Sequence, residues 1–335
     1  MGNAALSSNP VVANIDITTH ASDWLWAVFA VMMASALGLL VFGAMQPVGR
    51  RAFHHLGAAL CFTASIAYFC MASDLGATAV GVEYIRSGSL GADLVAQGVA
   101  HPTRSIWYAR YIDWVITTPM LLLELLLSTG LPLSDVFTAI FFDEVMIVTG
   151  LVGALVTSQY KWGLFAFGCA AEAYIWYVLL GPARASATRL GPDFKQAYLG
   201  SAAVLSFLWL LYPVCWGLSD GGNVIKSTSE MIFYGVLDIL AKPVFCFYHC
   251  YAMSRCSYER LGLSSGKYSD GLTEKELVYN EKFVGALDSS RLHTNSGAHN
   301  GQAGVTQAPH EPRESTATRI EAGAEQHTVG QPKSK

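Results

Sequence analysis

The sequence has 335 residues, of which 52% are hydrophobic and only 14% are charged. Soluble domains carry roughly 25% charged residues, so this composition indicates a membrane protein. The formal net charge is -4, and no basic patch alternates with aromatic residues, so we expect no nucleic-acid partner. The seven cysteines lack the spacing of metal ligands, and no metal site is predicted.

Seven apolar runs are long enough to cross a bilayer, because a hydrocarbon core of about 30 Å needs roughly 20 helical residues. They cover residues 24–45, 56–73, 107–127, 136–156, 163–180, 197–218 and 231–252. We therefore predict an all-α bundle of seven transmembrane helices with the lipid bilayer around it. The one long connection, residues 81–104, contains Gly and Asp residues that suit a hairpin.

Two polar segments flank a predicted membrane domain of residues 23–253. Residues 1–22 lack the basic stretch of a signal peptide and are interpreted as an extracellular leader. Residues 254–335 are rich in Gly, Ser, Thr and Gln without periodicity, which is typical of a disordered tail. Neither segment has the pattern of a soluble catalytic domain, so we do not expect an enzyme.

The basic residues of the short loops predict the orientation. Arg50, Arg184 and Arg255 fall on one side if the spans alternate, and the opposite side holds fewer such loop charges, among them Arg104 and Lys161. We therefore expect the N-terminus outside, the tail in the cytoplasm and the chain in the plasma membrane.

The third span carries ionisable residues, which cost at least about 2.5 kcal/mol each in a membrane interior and therefore indicate function. Arg110, Asp113, Thr117 and Glu124 lie on one helical face, since each residue turns the helix by about 100°. Eleven residues separate Asp113 from Glu124, which places these two acids about 16 Å apart along the helix.

The last span places Asp238 four residues before Lys242, the spacing that brings side chains together on a helix. A buried ion pair that only joins helices would have the same pattern. With Arg110 and Asp113 the set reaches four charges near mid-membrane, more than packing requires. A buried lysine also loses its proton readily, which suits it to form an imine with an aldehyde.

Large rings in the sixth span, Trp209, Tyr212 and Trp216, share an arc of about 100° with Pro213. Such rings are more often ordinary core. Opposite a buried lysine, these rings and Trp114 are also suited to form a flat slot for a long conjugated ligand.

Three motifs resemble those of microbial rhodopsins of the bacteriorhodopsin type, in the fungal branch. They are Asp238-x-x-x-Lys242, Arg110-Tyr-x-Asp113-Trp114-x-x-Thr117-Thr118-Pro119 and Trp209-x-x-Tyr212-Pro213-x-x-Trp216. The resemblance implies the microbial rhodopsin fold, with all-trans-retinal bound to Lys242 as a Schiff base.

Further roles are also implied by this resemblance. Asp113 is the counterion and first proton acceptor, Asp238 is a second counterion, and Glu124 is the proton donor. The residues expected to orient the counterions are Arg110, Thr117 and Tyr68; those expected to release protons are Asp220 and Glu230; those expected to contact retinal are Trp114, Thr118, Leu121, Asp143, Met146, Gly150, Trp209, Tyr212, Pro213, Trp216 and Ala241.

The set Asp113, Thr117 and Glu124 favours protons as the transported ion. Chloride-moving relatives have a hydroxyl residue at the position of Asp113, and sodium-moving relatives have an acid at that of Thr117. We therefore expect a light-driven outward proton pump, and the sequence is compatible with a homo-oligomer. The alternative is a slow sensory photoreceptor that signals through a cytoplasmic partner, because glutamate at position 124 also occurs in fungal members considered sensory.

Two further acids have no assigned role. The resemblance places Glu172 near the retinal ring, where relatives have an apolar residue, and Glu144 follows Asp143 on a neighbouring face. A protonated, hydrogen-bonded core acid is the preferred interpretation of Glu172.

Overall fold

The computed structural model describes residues 3–9, 13–82 and 90–263. The predicted tail from residue 264 onward, and residues 83–89 of the predicted hairpin connection, lie outside the described residues. All seven predicted spans lie within them.

Seven long helices make up most of the described part of the chain. They are α1 (Thr19–Ala44), α2 (Ala52–Ala72), α3 (Tyr108–Leu127), α4 (Leu133–Leu155), α5 (Lys161–Leu190), α6 (Pro192–Gly221) and α7 (Ser227–Met253). Each packs against the next, and α7 packs against α1, so the helices close into a ring. Short helices lie at Ala4–Ser8 and Leu90–Ala96, with single turns at Val48–Arg50 and Tyr258–Leu261. The predicted seven-helix fold is confirmed.

Six of the seven helices are long and apolar enough to cross a membrane by length and composition. The exception, α3, has 20 residues but contains three ionisable side chains, Arg110, Asp113 and Glu124. All three point into the bundle, since each is at most 2% exposed. Large apolar side chains such as Phe137 and Phe141 are instead more than 60% exposed, as expected for a surface that faces lipid.

A two-stranded antiparallel hairpin covers one end of the bundle. Strand β1 (Thr78–Gly81) pairs with β2 (Thr103–Ile106), with Thr78 opposite Ile106. The paired strands thus extend beyond the predicted segment 81–104 at both ends, since β1 begins at Thr78 and β2 ends at Ile106. Ile15 forms a separate parallel bridge with Arg104. We call this end of the bundle the hairpin end, and the end where α7 stops at Met253 the tail end.

The helices extend beyond several of the predicted apolar runs. Helix α1 begins at Thr19 rather than residue 24, with the Thr18 hydroxyl accepting a hydrogen bond from the Ala21 N–H at 3.3 Å. Helix α5 continues to Leu190 through a wide turn at Leu179–Ala183. The apolar runs end at the first polar residues, whereas the backbone hydrogen bonds of the helices continue through those polar residues.

Candidate functional site

Lys242 lies at an irregular turn in the middle of α7. The segment Leu240–Val244 is π-helical and contains Pro243, which has no N–H to donate to the preceding turn. Such wide turns are frequent at functional sites because they change the direction of a side chain. Here Lys242 points into the bundle and is 1% exposed.

Two carboxylates surround the Lys242 amine. Its Nζ donates a short hydrogen bond to Asp113 Oδ2 on α3, and it lies 3.4 Å from Asp238 Oδ2 one turn earlier on α7. Asp113 and Asp238 are at most 2% exposed, so the pair of acids faces the cation without competition from bulk water. These three residues belong to the four-charge cluster predicted from the sequence.

Tyrosines hold the second of these acids. Tyr68 donates to Asp238 Oδ2 at 2.7 Å, and Tyr212 donates to Asp238 Oδ1 at 2.6 Å. Thr117, in contrast, donates to the backbone carbonyl of Asp113 at 2.8 Å. The Oδ1 atom of Asp113 has no hydrogen-bond partner among the residues that the structure describes.

A cavity extends from Lys242 between α3, α4, α5 and α6. The cavity and its opening together contain about 730 Å³ of space not filled by protein atoms. Nine of the residues predicted to contact retinal line it: Trp114, Thr118, Leu121, Met146, Gly150, Trp209, Tyr212, Pro213 and Trp216.

The two other residues predicted to contact retinal do not line this cavity. Asp143 lies behind Thr118, whose hydroxyl donates to Asp143 Oδ2 at 2.8 Å. Ala241 is buried next to Lys242 on the backbone. Asp143 therefore acts on the cavity wall through Thr118 rather than by lining it.

The cavity also has lining residues that the sequence did not single out: Tyr111, Ile147, Phe165, Gly168 and Cys169, beside Glu172. Phe165 stacks on Trp216 with ring centroids 4.9 Å apart and an interplanar angle of 15°. Phe165 and Cys169 are four residues apart on α5, and Glu172 follows three residues later, a spacing that would have indicated one shared helical face.

Arg110 does not contact the counterions directly, which corrects the predicted four-charge cluster. Its Nη1 donates to Glu230 Oε1 at 2.6 Å, and its guanidinium carbon lies 4.2 Å from the Tyr234 ring centroid. In the described part of the chain no hydrogen bond joins Arg110 to Asp113 or Asp238. The reason is that Glu230, one turn from the hairpin end of α7, offers a closer carboxylate.

Glu230 also binds a second arginine. Arg104 on strand β2 donates from Nη2 to Glu230 Oε2 at 2.5 Å and from Nη1 to the Ile225 carbonyl at 2.9 Å. Arg104 is 1% exposed, so it is not the loop charge that the sequence predicted. The hairpin carries it into the bundle, and its partner is 126 residues away in the chain.

Asp220 occupies a separate position in the same region. Its Oδ2 accepts a hydrogen bond from Tyr111 at 2.6 Å, and its backbone carbonyl accepts one from Lys161 Nζ at 3.2 Å. Lys161 is also buried rather than a loop charge. The two predicted release acids, Asp220 and Glu230, are therefore neighbours with different partners and not a bonded carboxylate pair.

Glu124 lies toward the tail end in apolar surroundings. It is fully buried, with Leu121 and Leu125 on the same helix also buried. Its Oε2 accepts a hydrogen bond from Cys246 Sγ at 3.4 Å. Helices α2 and α7 approach closely here, since a Cβ on Gly57 would lie 3.0 Å from that of Cys246. The thiol was not predicted as a partner.

The chain is similar to proteins of one family. Residues 19–256 match the family described as Bacteriorhodopsin-like protein. The opsin-like protein carO of Fusarium fujikuroi is 48% identical over 266 residues, which cover 78% of this chain and 84% of the relative. The solved structure of the light-driven proton pump CsR from Coccomyxa subellipsoidea aligns with a TM-score of 0.65 at 33% identity, over 72% of this chain and 99% of that one.

A second solved structure supports the same conclusion. The light-driven proton pump LR (Mac) from Leptosphaeria maculans aligns with a TM-score of 0.65 at 32% identity, over 73% of this chain and 99% of that one. Together with the seven-helix ring around a buried lysine, these matches show that the chain belongs to the bacteriorhodopsin-like protein family, the microbial rhodopsins.

Proposed function

We propose that this protein is a light-driven outward proton pump that carries all-trans-retinal on Lys242. One observation supports the proposal above all: α3 presents Asp113 at the Lys242 amine and Glu124 nearer the tail end. Outward transport needs a proton acceptor on the outer side of the Lys242 nitrogen and a proton donor on its inner side.

The residues that line the cavity suit retinal by their chemistry. A primary amine lies at one end beside Asp238, and the walls are mostly rings and aliphatic side chains. Flat aromatic walls suit a conjugated chain, because they bury it while leaving it room along its length. Lys242 would hold retinal, which would supply a light-driven isomerisation beside Asp113 and Asp238.

Asp113 is the proposed acceptor of the proton from Lys242. Its Oδ2 already contacts the nitrogen, and its Oδ1 has no hydrogen-bond partner in the part of the chain described here. Asp238 accepts two tyrosine hydrogen bonds, which stabilise it as an anion. The less satisfied of the two acids is therefore the one suited to take the proton.

Glu124 is the proposed donor to the Lys242 nitrogen. A carboxylate in an apolar interior is costly unless it is paired, so this surrounding favours the neutral acid. The Cys246 thiol is only a weak donor and does not supply a compensating charge. Glu124 thus suits the storage of one proton between the tail end and Lys242.

The hairpin end provides the proposed exit. Asp220, Glu230 and Arg110 lie between Asp113 and the hairpin, and their bonds connect α3, α6 and α7. We propose that this end faces outward and the tail end faces the cytoplasm of a plasma membrane, following the basic residues of the short loops.

Illumination of cells or vesicles that contain the retinal-loaded protein tests the proposal. We expect the medium outside cells to acidify in light, and an uncoupler to abolish the change. Lys242→Ala should lose both the visible absorption band and the acidification, since no other amine lines the cavity among its described residues.

Two results would contradict the proposal. Visible absorption that persists in Lys242→Ala would remove the assigned attachment site. A wild-type photocycle lasting seconds without any light-dependent pH change would instead favour the sensory receptor, which needs no net proton movement.

A further inference from the structure

A buried histidine near Glu124 has no role in the mechanism above. His249 lies on α7, seven residues after Lys242, and is fully buried. Its Nδ1 is 2.9 Å from the Ser201 hydroxyl of α6. Its Nε2 has no hydrogen-bond partner within the described residues, although the ring also interacts with the backbone of Glu124.

The surroundings of His249 explain its burial but not its chemistry. The ring stacks on Phe245 with centroids 5.7 Å apart, and Phe53 of α2 meets it edge-on at 5.2 Å. An aliphatic or aromatic residue would fill this space without burying two ring nitrogens, of which only Nδ1 has a side-chain partner among the described residues. Packing alone therefore does not account for an imidazole here.

The position of His249 relates it to the proposed donor. Cys246, which donates to Glu124, is one turn before His249 on the same side of α7. His249 is nearer the tail end, so it lies between Glu124 and that end of the bundle. Imidazole can take a proton at one ring nitrogen and give one from the other near neutral pH.

We propose that His249 is a proton-relay residue that reloads Glu124 from the tail end after each turnover. The inference rests on the proposed function, because it requires Glu124 to become a carboxylate in each cycle. One proton leaves Nε2 for the Glu124 carboxylate, and one enters at Nδ1 from the Ser201 hydroxyl, which takes a proton from water at the tail end. The imidazole is neutral before and after, but its own proton has moved from Nε2 to Nδ1. Rotation of the ring and transfer back to the first tautomer have to precede the next cycle, and one proton has moved from the tail end to Glu124.

Flash excitation of the retinal-loaded protein in lipid nanodiscs tests the relay. Visible absorption measures the return of the proton to the Lys242 nitrogen. Infrared absorption of the carboxylic C=O measures the reloading of Glu124. A pH-sensitive dye in the medium measures proton uptake from the medium. In His249→Gln we expect the first step to keep its wild-type rate, while reloading and uptake slow by about tenfold or more.

Two matched variants define the expected pattern. Ser201→Ala keeps the imidazole but removes its hydroxyl partner, so reloading should also slow, by less than in His249→Gln. His55→Gln changes an exposed histidine at the tail end of α2 and should leave all three rates unchanged. If His249→Gln does not form the visible band, His249→Asn takes its place with the same expectation.

The outcomes separate the relay from the pump. Wild-type reloading in the His249 variants overturns the relay, and so does an equal slowing of all three steps, which would indicate a packing role. If the wild type itself neither releases nor takes up protons, the proposed function fails instead.

Discussion

The two halves of the bundle on either side of Lys242 differ in how their buried ionisable side chains are paired. Toward the hairpin end, Arg104, Arg110 and Glu230 form a buried network with hydrogen bonds of 2.5–2.6 Å. Toward the tail end, Glu124 is a buried acid bonded to a thiol at 3.4 Å. One half is polar and connected, and the other is apolar with single polar groups.

This difference suits a one-way proton path. A dense network stabilises charge on the proposed exit side, where a proton has to leave. An apolar half limits back-flow, because an ion entering it without a partner would lose its hydration. Substitutions in the hairpin half should therefore affect stability, whereas those in the tail half should affect rate.

The largest expected effect comes from Glu124→Gln. The amide has the same shape but no acidic proton, so return of a proton to the Lys242 nitrogen should slow by about 100-fold. Flash photolysis measures this rate. Because the acid has no ion-pair partner among the described residues, the dark absorption band and the thermal bleaching temperature should change little.

An unchanged rate in Glu124→Gln would show that another group is the donor. A large loss of stability in this variant would contradict the comparison itself, since it would mean that the tail half also depends on its acid for folding.

A smaller effect on transport but a larger one on folding is expected from Glu230→Gln. The amide leaves Arg104 and Arg110 buried without their carboxylate, and breaking a buried ion pair on one side costs about 3–5 kcal/mol. Thermal bleaching of the visible band should therefore occur at a clearly lower temperature. Arg104→Gln is the milder control, because Arg110 still neutralises Glu230.

Equal bleaching temperatures for Glu230→Gln and the wild type would indicate that the network adds nothing to stability. The bleaching temperatures thus show which half of the bundle depends more on its buried charges for stability, when they are compared among Glu124→Gln, Arg104→Gln and Glu230→Gln.

The sequence predicted the centre of the site better than its ends. Asp238 and Lys242 are four residues apart, and Asp113 and Glu124 share a helical face, so local geometry was sufficient to place them. Arg104 could not be placed in this way, because its contact with Glu230 depends on how the hairpin folds onto the bundle. The spacing rules contain no information on such distant pairs.

His249 was missed for a related reason. A single histidine in an apolar run resembles ordinary core, and its partner Ser201 is 48 residues away on another helix. The number of helices was predictable, since it depends on the length and hydrophobicity of the apolar runs. The exact ends of the helices were not predictable, because polar caps such as Thr18 continue the hydrogen bonding beyond the apolar residues.

The smallest expected effect concerns Asp74, in the loop at the hairpin end. Burial, and then the charge of Asp16, raise the pKa of Asp74 to about 6, whereas an unfolded Asp has a pKa of about 3.9. The folded state thus holds this proton more tightly, so the stabilisation is complete below about pH 4 and disappears as the pH rises through about 6. Asp74→Asn should remove this dependence.

The substitution is well matched, because Asp74 has a φ of 59° and asparagine tolerates this left-handed conformation. Thermal bleaching between about pH 4 and pH 7.5 provides the measurement. We expect the wild type to gain stability relative to Asp74→Asn as the pH falls, by a small amount because the carboxyl is partly exposed. If the bleaching temperatures of the wild type and Asp74→Asn depend on pH in the same way, the titration of Asp74 is not coupled to folding. In that case the charges that affect stability in the hairpin half are those inside the bundle.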